Sequence, residues 1–128
     1  MKKLLLIESD PFLALILLKR FRREQFEVRH ANHVEEAWRF IAMEQPEAIL
    51  AGLILPRKDG FEFLQELRNH PTAHAIRIAV YTRLGSREDV ARCTQFDIDA
   101  YFIKSHHTPE DVVASLIRTW SDQPTYLS

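Results

Sequence analysis

Leu4-Leu5-Leu6-Ile7-Glu8-Ser9-Asp10-Pro11 is the stretch on which the fold turns. Its four apolar residues run without alternation, which suits a strand covered on both faces. They stop at Glu8, and Asp10-Pro11 then reads as a helix start. An aspartate side chain accepts from the open N–H groups of a first turn, and proline at the first position lacks only an N–H that would be unpaired there. A strand buried on both sides needs cover above and below, so the rest of the chain is read for helices that alternate with strands.

The spacing predicts a helix over residues 11–25 and a short alternating strand over 26–30, with one wet face. Val34, Ala37, Trp38, Ile41 and Ala42 fall at helical spacing within 34–44, and Pro46 ends that helix. Residues 48–53 are a second buried strand, and Pro56-Arg57-Lys58-Asp59-Gly60 is a loop by its turn chemistry. A helix over 61–69 lines up Phe61, Leu64 and Leu67, and Pro71 closes it. Residues 76–81 are a further strand, 86–96 a weaker helix with Val90 and Cys93 inward, and 101–103 the fifth strand. Thr108 caps a last helix that reaches Trp120, with Pro109 at its first position.

Strict alternation of five strands and five helices predicts a single doubly wound α/β sandwich, (βα)5, with a parallel sheet and helices on both faces. One domain is expected over residues 1–121, followed by a polar tail over 122–128. In such sheets function gathers at the carboxyl ends of the strands. The residues to inspect are Glu8-Ser9-Asp10, the run from Gly52 to Gly60, Thr82-Arg83 and Lys104-Ser105.

Composition narrows the classes. A chain of 128 residues with 46% hydrophobic and 27% charged residues has the profile of one globular core, not of overall disorder. Seventeen Lys and Arg against 18 Asp and Glu give a net charge of -1, which argues against nucleic acid or an anionic membrane as partner. The single cysteine, Cys93, excludes an intramolecular disulfide and a cysteine-rich zinc site, and a reducing cytoplasmic setting is expected. The apolar runs at 4–7 and 12–18 fall short of the ~18 residues of a membrane span, and they do not make one continuous signal-peptide core.

At the strand ends the chain resembles the receiver domains of bacterial two-component response regulators. Ile7-Glu8-Ser9-Asp10-Pro11 resembles their acidic cluster, and Leu55-Pro56-Arg57-Lys58-Asp59-Gly60 resembles their L-P-x-x-D-G loop. Ala79-Val80-Tyr81-Thr82-Arg83 is similar to the hydroxyl-bearing end of the fourth strand, and Asp99-Ala100-Tyr101-Phe102-Ile103-Lys104 to the aromatic-x-x-Lys end of the fifth. The resemblance runs from Lys2 to about Trp120. It implies the flavodoxin-like strand order 2-1-3-4-5, and a histidine kinase or another signalling protein as partner.

A receiver takes a phosphoryl group onto an aspartate at the end of its third strand. That chemistry needs a carboxylate nucleophile, a magnesium ion held by carboxylates, and a lysine and a hydroxyl for the phosphoryl oxygens. Counting four residues back from Pro56, as the family pattern directs, lands on Gly52. Residues 48–55 contain no Asp, Glu, Ser or Thr to replace the missing aspartate. Glu8 matches the first acidic position, Ser9 the second, and Asp10 the residue that begins the helix. Thr82 and Lys104 match the hydroxyl and the cation. No catalytic residue, no cofactor and no firm metal site is expected. At most a weak magnesium site at Glu8 and Asp10 is left.

The expectation is a non-enzymatic, stand-alone interaction module that works without phosphorylation. The alternative is phosphotransfer onto an unusual acceptor, namely Asp10, Glu8 or Ser9. An FMN- or nucleotide-binding reading is set aside, because the first strand-to-helix turn has no glycine and carries two carboxylates.

Plainer roles stand beside these. Lys104 is expected to pair with Glu8 or Asp10. Thr82 is expected to bond backbone, Asp59 to cap a helix and Cys93 to fill core. Tyr101, which matches the family's switch aromatic, is expected to be a half-buried interface tyrosine. His70, His74, His106 and His107 read as solvated loop residues, not as ligands. The family often pairs through the face of its fourth helix, fifth strand and fifth helix. Here that face would carry Arg87, Arg92, Tyr101 and Arg118, and a homodimer through it is one expectation. Asp99-Ala100-Tyr101 lacks one charged anchor of that pairing. The basic run Lys19-Arg20-Phe21-Arg22-Arg23 reads as a solvated helix end, with a docking patch for an acidic partner as the alternative.

Overall fold

A computed structural model describes residues 2–121 of the chain. Five strands alternate with five helices: β1 (Lys2–Ile7), α1 (Pro11–Arg23), β2 (Phe26–Ala31), α2 (Val34–Met43), β3 (Ala48–Ala51), α3 (Gly60–Asn69), β4 (Arg77–Thr82), α4 (Arg87–Thr94), β5 (Ala100–Ile103) and α5 (Pro109–Thr119). The strands form one parallel sheet in the order β2-β1-β3-β4-β5, the doubly wound arrangement expected from the alternation. The expected polar tail, 122–128, lies outside the described residues.

The sheet is buried on both sides because its central strands carry apolar residues at odd and even positions alike. Leu5 and Ile7 of β1 face a core made with Val34, Ala37 and Ile41 of α2 and Phe61, Leu64 and Leu67 of α3. Leu4 and Leu6 face the opposite core, made with Ala14, Leu17 and Phe21 of α1 and Val112, Val113 and Leu116 of α5. Each buried Leu, Ile, Val or Phe among them contributes about 1.5–3 kcal/mol relative to exposure. β2, at the edge, alternates buried and exposed residues, so one of its faces is wet.

Each helix start follows from a side-chain acceptor. Asp10, Asp59, Ser86 and Thr108 cap α1, α3, α4 and α5, and Thr108 with Asp111 completes a reciprocal capping box. His33 caps α2: its Nδ1 accepts from Glu36 N at 3.2 Å. α1 ends at Arg23 and not at residue 25, because Gln25 takes a left-handed conformation (φ 69°) to swing Phe26 into β2. β3 ends two residues before the expected 53. Gly52 still donates to Ile7 O at 2.9 Å, and the chain then turns away into the loop.

Two polar clasps close the end of the sheet opposite the strand tips. The Arg68 guanidinium donates to four backbone carbonyls: Phe96 O (2.6 Å), Ile76 O (2.7 Å), His74 O (2.8 Å) and Asp97 O (2.9 Å). Burial draws its pKa below the ordinary guanidinium value. Asp99 Oδ2 accepts from Trp120 Nε1 at 2.8 Å and from Arg77 Nε at 2.9 Å, which fastens the end of α5 to the starts of β4 and β5.

Candidate functional site

The sheet reverses its winding at β1 and β3, which are neighbours in space but not in sequence. A crevice is expected beyond the carboxyl ends of such strands. A cleft of about 230 Å³ lies there, lined by Glu8, Ser9, Asp10, Gly52, Leu53, Ile54, Tyr81, Thr82, Arg83 and Lys104. All six residues singled out at the strand ends, namely Glu8, Ser9, Asp10, Gly52, Thr82 and Lys104, therefore meet in one place.

Their chemistry is unequal. Glu8 is 4% exposed. One of its carboxylate oxygens accepts from Asp10 N at 3.0 Å, and the other faces Lys104 Nζ at 3.0 Å. Its backbone carbonyl meets His30 Nε2 at 2.8 Å. Lys104 thus takes Glu8, one of its two candidate partners. Asp10 is turned the other way: its Oδ1 accepts from Phe12 N (3.0 Å) and Leu13 N (3.3 Å) as the cap of α1. Ser9 is exposed at the rim.

Thr82 is 2% exposed at the end of β4, and its Oγ1 accepts from Leu84 N at 3.3 Å. That is the backbone-bonding role expected for it. Tyr81 donates from its hydroxyl to His107 O at 2.6 Å, and burial raises its pKa. Its ring lies 5.8 Å from Lys104 Nζ. Lys104 is therefore held between a carboxylate and a π face.

Gly52 sits at the floor. A Cβ placed on it would lie 3.6 Å from Ile7 O, 3.6 Å from Leu55 Cδ2 and 3.8 Å from Glu8 Oε1, all ordinary contacts. The backbone there does not require glycine. Gly60 does: its Cβ would stand 2.6 Å from both Gly52 O and Leu53 Cα, so α3 presses its first residue onto the loop that follows β3.

The residues expected on the outer face separate. Tyr101 is half-buried and donates to Leu84 O at 2.7 Å; burial pushes its pKa up to about 12. Arg92 lies 4.0 Å over the ring of Phe61 on α3, and Arg118 lines a groove against α1. Arg87 is exposed. Asp99, the retained acidic anchor, is turned inward onto Trp120 and Arg77. Sequence reasoning missed Arg68, His30 and Tyr81, whose partners are backbone carbonyls from distant segments.

The sequence profile of the response regulator receiver domain matches residues 4–116. The chain belongs to that family. As a receiver domain it is a component of two-component signalling, in which receivers interact with histidine kinases and other signalling proteins. Regulatory protein AtoC of Escherichia coli (strain K12) is 27% identical over 103 residues, which is 80% of this chain and 22% of AtoC. Probable transcriptional regulator ycf27 of Cyanophora paradoxa is 29% identical over 127 residues, 97% of this chain and 51% of ycf27. The receiver domain thus spans between about a fifth and a half of these relatives. The crystal structure of the Mn(2+)-bound form of response regulator Rcp1 shares the fold, with a TM-score of 0.85 at 23% identity over 98% of both chains. Among the described residues of this receiver domain no helix is long and apolar enough to cross a membrane.

The family's phosphoryl chemistry uses a magnesium ion held by carboxylates, and the residues of this cleft do not fit one. Glu8 is the only buried carboxylate in it and is already paired with an ammonium. Asp10 caps α1, and Gly52 supplies no side chain. Among the described residues no three His, Cys, Asp or Glu side chains are grouped to hold a metal.

Proposed function

We propose that this receiver domain is a phosphorylation-independent protein-interaction module and has no enzymatic activity of its own. The observation that carries the reading is Gly52. It occupies the floor of the cleft beside Glu8, where the family pattern places the phosphoacceptor, and it offers no nucleophile. The pairing of Lys104 with Glu8 supports the same reading, because the cation that would meet a phosphoryl oxygen already has an internal anion. Asp10, Glu8 and Ser9 are poorer acceptors. The first is engaged as a helix cap, the second is in a buried ion pair, and the third has no neighbouring base among its hydrogen bonds.

The test is direct. The protein is incubated with acetyl phosphate and Mg²⁺, and its intact mass is measured. The expected mass is unchanged. A stoichiometric adduct that is stable in acid and labile in base would overturn the proposal, and loss of that adduct on Asp10→Asn, Glu8→Gln or Ser9→Ala would name the acceptor.

A further inference from the structure

α1 and α5 lie side by side on one face of the sheet, and their outer edges leave a groove of about 430 Å³. Its apolar lining comes from α5: Ala114 is exposed, Ile117 is partly buried, and Val113 lies buried beneath them. Its rim is cationic: Arg20 and Arg23 come from the basic run at the end of α1, and Arg118 from the last turn of α5. Arg20 is paired with Glu110 at 3.1 Å, with both side chains about half exposed. Arg23 and Arg118 are exposed and have no ion-pair partner among the described residues, and Glu24 is the one other carboxylate in the groove. Two guanidiniums against one unpaired carboxylate leave the site locally positive in a chain whose net charge is -1.

The apolar character continues beyond the groove. Ile16, one turn before Arg20 on α1, is 43% exposed, and Phe12, a further turn back, is 81% exposed. The fold does not use either side chain, because α1 packs on the sheet through Ala14, Leu17 and Phe21. Exposed large apolar groups in line with a cationic rim are a recognition pattern, not a packing one.

The geometry points to this groove as the docking site for an acidic amphipathic helix of a protein partner. Its apolar stripe would lie on Ile16, Ala114 and Ile117, and its carboxylates would meet Arg23 and Arg118. The inference gives the interaction module a surface, and it rests on that reading for the existence of a partner. Charge decides among occupants. A second copy brought up by a two-fold axis would set a rim of the same net positive charge against this one. A dense polyanion such as nucleic acid would meet Glu24 and Glu110.

The probe is a synthetic helix of about fourteen residues with Leu on one face and Glu on the other. Its Lys-for-Glu and Ser-for-Leu counterparts serve as controls, and binding is read by fluorescence anisotropy and by amide chemical shifts. The Leu/Glu helix is expected to bind and to shift residues of α1 and α5. Arg23→Glu with Arg118→Glu is expected to weaken it roughly tenfold or more. Arg87→Glu, a charge reversal on another face, is expected to leave it unchanged. No binding of the Leu/Glu helix overturns the inference. So does equal binding of the Ser-for-Leu helix, an equal loss on Arg87→Glu, or a dimer in sedimentation that Arg118→Glu dissolves. Acetyl phosphate labelling run in parallel keeps the two readings apart. Labelled protein that still binds the helix defeats only the reading that the cleft accepts no phosphoryl group, and unlabelled protein that ignores the helix defeats the groove alone.

Discussion

Lys104 Nζ and Glu8 Oε1 stand 3.0 Å apart, although 96 residues separate them in the chain. The two partners differ in burial: the Lys104 side chain is 23% exposed and that of Glu8 is 5% exposed. Removing one is therefore not equivalent to removing the other. Lys104→Met strands a carboxylate away from water and is expected to cost about 2–3 kcal/mol, below the fully buried case because the lysine reaches solvent. Glu8→Gln keeps an acceptor for Asp10 N and leaves an ammonium that can turn outward, at about 1 kcal/mol. Urea denaturation of the two variants checks the order, and a larger loss for Glu8→Gln would refute the account.

Glycines 52 and 60 are expected to respond oppositely to alanine. Gly52→Ala meets only ordinary contacts and no left-handed backbone, so it should be neutral or stabilising by up to about 1 kcal/mol. Gly60→Ala drives a methyl into backbone at 2.6 Å and should lose about 1–3 kcal/mol. Thermal melts of the pair read this out. Gly52→Asp sets a second carboxylate beside Glu8 and within the field of Lys104. It is expected to gain a Mg²⁺-dependent mass adduct with acetyl phosphate that the parent lacks.

Arg68 ties two segments, 74–76 and 96–97, to the end of α3 through four carbonyls. Arg68→Ala leaves these acceptors to partial rehydration and should destabilise by about 2–3 kcal/mol. Arg68→Lys, with a point charge in place of a planar fork, should recover only part of the loss. Complete recovery by lysine would show that charge, not the fork geometry, holds the clasp.

Alkaline pH is expected to weaken the fold from within. Burial raises Tyr101 from 10.0 to about 12 and Cys93 from 9.0 to about 11. Both groups hold their protons more tightly in the folded chain. Their contribution is therefore complete below pH 9 and is lost as pH rises through about 11 and 12. Chemical denaturation across that window should show a falling midpoint, less steep in Tyr101→Phe with Cys93→Ala. An unchanged slope in the double variant would place the alkaline loss elsewhere.

Much of this architecture is legible in the chain because it is written in local chemistry. Residues 4–7 and 78–81 read as doubly covered strands since no charged residue interrupts them. Asp10, Asp59 and Thr108 read as caps since a helix must start where its N–H groups find acceptors. The convergence at the cleft is also legible, because strand ends in a parallel sheet share one edge. What stays hidden depends on distance in the chain. Nothing local tells Lys104 to choose Glu8 over Asp10; that choice follows from Asp10 being engaged by Phe12 and Leu13. Arg92 reads as a surface cation until α3 brings Phe61 beneath it. Arg68 carries no periodic signal, since its acceptors lie on separate segments.

The bond from Trp120 to Asp99 has an optical consequence. The two tryptophans fall on opposite layers of the sandwich: Trp120 within the layer of α1 and α5, and Trp38 against His70 and Phe63 in the layer of α2 and α3. Each half of the molecule thus owns an intrinsic fluorophore, one tethered to a carboxylate and one stacked on an imidazole. Replacing either with phenylalanine leaves a single tryptophan, so with excitation that avoids the three tyrosines the melting of each layer can be followed separately without attaching a dye.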